Sequence, residues 1–233
     1  MDKAIHNENR RSFLRRASLF AVALPAGVLL NCVRPARTEP AQVEPRAATA
    51  SRVGAYCEGC DAIYTGLPSQ LNWETRIAPV SEPGEPMEAS GVIYQPDGRT
   101  PAPGVILYVY HTDARGIYPP APGATGSARR HGRLRGWVKT NEKGEYKFVT
   151  IKPASYPNSN IPSHIHPIIK EADKNEYYID EWVFDDDPFL TQQERSRRRN
   201  IGGSGIVRLS RNAGGVWIAK RDIILGLNVQ NYR

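Results

Sequence analysis

Cysteine is scarce in this chain: three residues in 233, at Cys32, Cys57 and Cys60. No second cysteine pair exists to complete a zinc site around Cys57-Glu58-Gly59-Cys60. Asp61 stands where a c-type haem site needs His, and a thioredoxin-like role lacks its βαβ surroundings. With Cys32 set aside, a short structural disulfide is the remaining reading of Cys57 and Cys60, and it implies an oxidising compartment. Long apolar runs are also missing. The stretch from Ala17 to Leu30 is too short for a comfortable membrane span. No apolar pattern of helical period competes for the chain, and no internal repeat is visible. A strong charge of one sign is absent as well. The net charge is +7, but residues 1–32 hold five Lys/Arg and two Asp/Glu, which leaves 26 against 22, or +4, for the rest. That balance is ordinary for a folded domain and does not argue for a nucleic-acid partner.

The amino terminus reads as an address. Asn9-Arg10-Arg11-Ser12-Phe13-Leu14-Arg15 precedes the short apolar run and resembles a twin-arginine export signal. Leu29-Leu30-Asn31-Cys32 resembles a bacterial lipobox, which would lipidate Cys32 after cleavage and tether the protein to a membrane. Ordinary cleavage a few residues further on is the other reading. Either way the expectation is an exported bacterial protein, periplasmic or membrane-anchored. Residues 33–54 are rich in Pro, Ala and charge and poor in large apolar side chains, so they read as a flexible linker. Residues 55–233 read as the folded domain.

That domain carries many short strand signals. Ala89–Gln95, Gly104–Tyr110, Arg135–Thr140, Glu145–Thr150, Ser163–Lys170 and Tyr177–Phe184 are rich in β-branched and aromatic residues and bounded by Pro, Gly, Asn and Asp. Ile206–Leu209 and Val216–Ala219 predict a last hairpin. Pro119–Arg133 reads as a long loop. Asp187-Pro188 reads as the cap and first position of one short helix running to about Arg199, with Arg195, Arg197, Arg198 and Arg199 on a solvated face. The expected fold is all-β: a β-sandwich with long loops and one short helix.

The stretch from Lys152 to His166 holds Tyr156, His164 and His166 among small, polar and Pro residues. On a strand, residues two apart share a face, so both imidazoles can reach one ion. Two histidines hydrogen-bonded to backbone would be the bland alternative. A phenol nearby adds a hard anionic donor, which favours a highly charged ion such as Fe(III).

A second phenol, Tyr118, follows the turn at Gly116. Tyr118, Tyr156, His164 and His166 resemble the two-Tyr, two-His ferric site of the intradiol ring-cleavage dioxygenases. The stretches His111-Thr-Asp-Ala-Arg-Gly-Ile-Tyr118, Leu134-Arg-Gly-Trp137, Lys139–Phe148, Thr150–Pro157, Ile161–His166 and Phe184–Pro188 carry that resemblance, over about Glu88–Pro188. It implies one non-haem Fe(III) per chain, a catechol-type substrate and O2. The ring would open between its two hydroxylated carbons to a muconate-type diacid. Family precedent makes Tyr156 the ligand released on substrate binding. Where many members carry an Arg three residues before the first His, this chain has Ile161. Arg129, Arg130, Arg133 and Arg135 are the candidate substitutes, Arg135 among the catalytic residues, and Glu181 stands where a Gln is common. The alternative is a non-catalytic exported β-sandwich that binds iron or a catechol-type ligand. The sequence leaves an oligomer open.

Overall fold

The computed structural model describes residues 52–233. The proposed signal segment, Cys32 and the linker up to residue 51 lie outside the described residues. The packed domain begins before residue 55: Val53 is buried, and Gly54 N–H donates to Gln230 O at 2.7 Å.

Two six-stranded sheets face each other. The first comprises β1 (Glu74–Arg76), β5 (Glu145–Ile151), β2 (Pro86–Tyr94), β11 (Trp217–Lys220) and β10 (Leu209–Arg211) in that order, with β12 (Ile223–Ile224) also on β2. The second runs β4 (Arg135–Lys139), β3 (Ile106–His111), β6 (His164–Lys170), β8 (Trp182–Phe184) and β9 (Ile206–Val207), with β7 (Tyr177–Tyr178) on β6. The chain is the all-β sandwich that its strand signals predict.

Period-two alternation explains the core. Leu107 and Val109 of β3, and Ile165 and Ile169 of β6, point between the sheets. There they meet Met87, Ala89, Tyr146 and Phe148 from the first sheet, with Trp182 edge-on to Phe148 at 5.9 Å. Each such large apolar side chain contributes about 1.5–3 kcal/mol by leaving water. The intervening residues, Tyr108, Tyr110 and Ile168, face outward and form a second cluster with Cys60, Ala62 and Ile63. His164 and His166 share the outward face of β6 with Ile168. Core burial on one face of the strand therefore dictates that both imidazoles emerge on the other.

Four sequence expectations are corrected. The single strand expected over Tyr177–Phe184 is broken, because Asp180 gives its N–H to Ile201 O at 3.0 Å and its carbonyl to Arg221 Nη1 at 2.6 Å. Those groups are lost to the ladder, and the break turns Glu181 toward the outward face of the second sheet. The structure has two short helices, not one, since α1 (Gly126–Arg130) lies within the expected loop. Helix α2 spans only Gln192–Arg197, capped by Thr191, whose side chain accepts from Glu194 N–H at 3.2 Å. Asp187 caps no helix; its carboxylate accepts from Ser163 N–H at 2.9 Å and from the Ser163 hydroxyl. Finally, Ile206–Val207 pairs with β8, so the last hairpin is β10 with β11.

Candidate metal centre

Three loops and one strand build the site. Gly116 has φ +78° and closes a turn in which the Asp113 carboxylate accepts the N–H groups of Arg115 and Ile117, at 2.9 and 3.2 Å. That turn delivers Tyr118. The Tyr156 loop is tied to it: Ala154 N–H donates to Asp113 O at 3.2 Å, and the Thr112 hydroxyl donates to Ala154 O at 2.7 Å. Asp187 pins Ser163 at the mouth of β6, so His164 enters the strand from a held position.

The four side chains converge. Tyr118 Oη lies 2.8 Å from Tyr156 Oη, which lies 3.0 Å from His164 Nε2. His164 Nε2 is 3.0 Å from His166 Nε2, which is 3.0 Å from Tyr118 Oη. The ring of donor atoms is closed. His164 Nδ1 is 2.7 Å from Pro162 O. A carbonyl only accepts, so Nδ1 carries the proton and Nε2 presents its lone pair inward. His166 faces the Glu181 carboxylate through Nδ1 at 3.8 Å. Burial, then the neighbouring His164, keeps the pKa of His166 well below the ordinary imidazole range. Two imidazole nitrogens aimed at one another at 3.0 Å need a proton or a cation between them. Two nitrogens and two phenol oxygens are a donor set that suits Fe(III).

Burial and the Tyr156 hydrogen bond push the pKa of Tyr118 well up, and burial raises that of Tyr156. Both would be neutral phenols near neutral pH on their own; a bound cation reverses that preference. Among the described residues no three His, Cys, Asp or Glu side chains form a metal-binding group. The phenols are what make this arrangement a chelate.

Behind His166 stands a stack that sequence reasoning missed. Tyr110 is the cross-strand partner of His166, and their rings stack at 4.5 Å. His131 stacks on the far side of Tyr110 at 3.6 Å, with its Nδ1 3.0 Å from Tyr108 Oη. The outward alternation of Tyr108 and Tyr110 was the available signal; the pairing of β3 with β6 was not. Cys57 and Cys60 are joined as a disulfide, with Cα atoms 5.5 Å apart, and the loop between them backs onto this stack: an added Cβ at Gly59 would lie 3.2 Å from His131 Nε2.

Other predicted residues lie elsewhere. Arg135 makes no contact with the four donors; its guanidinium sits 5.6 Å from the Trp137 ring centre, one strand beyond Tyr110. Arg133 pairs with Glu82 and Arg130 with Glu58, at 2.5 and 3.5 Å. Ile161 is 51% exposed. The arginine near the donors is Arg198, whose Nη1 lies 2.9 Å from Glu181 Oε2. The arginine run is therefore not one solvated face: Arg195 pairs with Asp185 at 2.7 Å, Arg197 with Glu194 at 3.0 Å and Arg198 with Glu181. His111 is wholly buried and is not one of the four converging donors; its Nδ1 lies 2.7 Å from Thr112 O and its Nε2 2.7 Å from Thr150 Oγ1.

Burial lowers the pKa of His111 to about 4 and that of His131 to about 4, the latter helped by the Arg135 and Arg130 charges. In the unfolded chain both return to about 6.5, so as pH falls the unfolded state binds protons first. Their contribution to stability is present above about pH 6.5 and lost as the pH falls toward about 4. The thermal midpoint of metal-free protein should be level above this window and decline through it. A level midpoint down to about pH 4.5 would show that these imidazoles take up protons in the fold as readily as in the unfolded chain, and would remove the assigned shifts.

A family model described as Dioxygenase matches residues 63–195. Catechol 1,2-dioxygenase 1 of Acinetobacter lwoffii is 26% identical in an alignment of 135 positions that covers 48% of this chain and 42% of that protein. The chain thus spans less than half the length of that relative. The structure of catechol 1,2-dioxygenase from Acinetobacter sp. ADP1, inhibited by bound mercury, matches with a TM-score of 0.50 and 19% identity, over 66% of this chain and 58% of that one. That of 3-chlorocatechol 1,2-dioxygenase from Rhodococcus opacus 1CP matches with a TM-score of 0.51 and 18% identity, over 66% of each chain. At these identities the solved structures speak for the fold alone.

Proposed function

The chain belongs to the intradiol ring-cleavage dioxygenase family, and on that premise we propose that it is a non-haem Fe(III) enzyme. Its reaction would open the ring of a catechol-type aromatic between the two hydroxylated carbons with O2, giving a muconate-type diacid. One observation carries this reading: the closed ring of Tyr118, Tyr156, His164 and His166 donor atoms, each 2.8–3.0 Å from the next. Those four residues would hold the ion, which when bound supplies Lewis-acid activation and a template for the substrate oxygens.

The protein's own part follows from its contacts. A catechol arrives with two hydroxyl protons; Tyr156, held as a phenolate only while the ion is bound, would take one as it is released, and hydroxide from solvent would take the other, leaving Tyr118 as a ligand. The Pro162 carbonyl holds His164 in the tautomer that points its lone pair inward. The Tyr110–His131 stack backs the His166 ring and holds its plane. Asp187 holds the start of β6, and so the geometry of both imidazoles.

Purified protein supplied with iron should bind about one ion per chain and show the visible band of phenolate-to-Fe(III) charge transfer. With catechol it should consume one O2 per ring and yield the diacid. Colourless, iron-free protein would overturn the reading. Coloured protein without oxygen uptake would instead establish the non-catalytic binding module.

A further inference from the structure

A cleft of about 650 Å³ opens beside the centre, and His166 and Tyr110 form part of its wall. A cleft of this size takes ligands much larger than a lone catechol ring. It is also lined by Arg197, Arg198 and Arg199, and by Asp180, Glu181 and Glu194. Formally these charges cancel, but the pairing does not distribute evenly. Glu194 pairs with Arg197 at 3.0 Å, and Glu181 with Arg198 at 2.9 Å. Asp180 lies against the buried Arg221, whose Nη1 donates to the Asp180 carbonyl at 2.6 Å and whose charge the Asp180 carboxylate offsets. Arg199 is left with no carboxylate within 4.0 Å among the described residues.

The backbone of Arg199 is nonetheless held in place. Asn228 Nδ2 donates to both the Arg199 and Asn200 carbonyls at 3.1 Å. Asn200 and Asn228 both adopt left-handed φ, at 52° and 58°. Next along the chain, Gly202 N–H donates to Leu227 O at 2.9 Å. The segment after α2 is thereby locked to the C-terminal segment. A cation without a counter-ion stands on a fixed backbone at the edge of a cleft that begins at a donor of the metal centre.

We propose that this cleft seats a carboxylate-bearing side chain on the catechol ring, and that Arg199 is the residue that reads its charge. The inference rests on the ring-cleavage reading for the placement of the ring. It adds the substrate class: catechols carrying an acidic tail several atoms long.

The test compares dihydrocaffeate, a catechol with a three-carbon acid side chain, with its primary amide, which has nearly the same shape and no charge. One ion pair to an exposed arginine is worth up to about fivefold. The acid should therefore exceed the amide in kcat/KM by about that factor, and the preference should shrink in high salt. Arg199→Gln should bring the ratio close to one, and Arg199→Lys, which keeps the charge, should restore most of it. Titration calorimetry of the same ligands without oxygen should show the same ratio in dissociation constants, whether or not the ring is turned over. Equal affinities for acid and amide in the wild type, or an unchanged ratio in Arg199→Gln, would overturn the proposal. Oxygen uptake with unsubstituted catechol reports separately on the ring-cleavage reading.

Discussion

Replacing His164 with Ala should remove most of the iron that the protein takes up, and with it the visible colour. His164 Nε2 touches two of the other donor atoms, Tyr156 Oη and His166 Nε2, both at 3.0 Å. Its loss opens a four-donor ring to three and leaves two phenols with one imidazole. Outer-shell changes alone cost roughly 10- to 100-fold in metal affinity, and a direct ligand should cost at least about 100-fold. His166→Ala should do the same and also deprive Tyr110 of its stacking partner at 4.5 Å. The measurement is iron per chain after loading and desalting, read with the visible spectrum. Melting of the metal-free variants separates a lost ligand from a lost fold. Full iron and unaltered colour in both variants would place the centre elsewhere in the chain.

Gly116→Ala should be the most damaging small substitution near the site. A Cβ at Gly116 would lie 1.9 Å from Ser155 O and 2.8 Å from Ser155 C. Both are backbone atoms, so no rotamer change relieves the clash. The residue also has φ +78°, which costs an L side chain about 1 kcal/mol. Overpacking adds about 1–3 kcal/mol, for a total of about 2–4 kcal/mol and a fall in the thermal midpoint of about 5–15 °C. The two clashing segments are the ones that carry Tyr118 and Tyr156. Relief of the clash must separate them, so iron affinity should fall together with stability. Gly123→Ala is the control, because Gly123 has nearly the same φ, +76°, but open space around its Cβ. It should show the backbone cost alone and leave iron binding intact. Equal melting shifts for the two variants would remove the role assigned to the close approach at Gly116.

Part of this protein was legible in its residues before any fold was known. The β-branched and aromatic run of Gly104–Tyr110 marks a central strand apolar on both faces, and Ser163–Lys170, bounded by Pro and polar residues, marks another. The period of two along a strand puts His164 and His166 on one side. The Pro and Gly around Tyr156 and Tyr118 mark them as loop residues. These are local properties, decided within a few residues by sterics and burial. Tertiary structure alone decided everything that joins distant segments. Asp187 reads as a helix cap by its neighbours, yet it binds Ser163, 24 residues away, because β8 lies beside β6. Tyr110 becomes the support of His166 only through the β3–β6 register. The strand expected over Tyr177–Phe184 breaks because the Asp180 backbone finds partners in Ile201 and Arg221. The arginine run looked uniform in sequence, but Arg195, Arg197 and Arg198 each take a carboxylate that the fold brings within reach, and Arg199 takes none among the described residues. Such pairings depend on which strands become neighbours, and that is settled by the burial of the whole core rather than by the residues on either side of the group concerned.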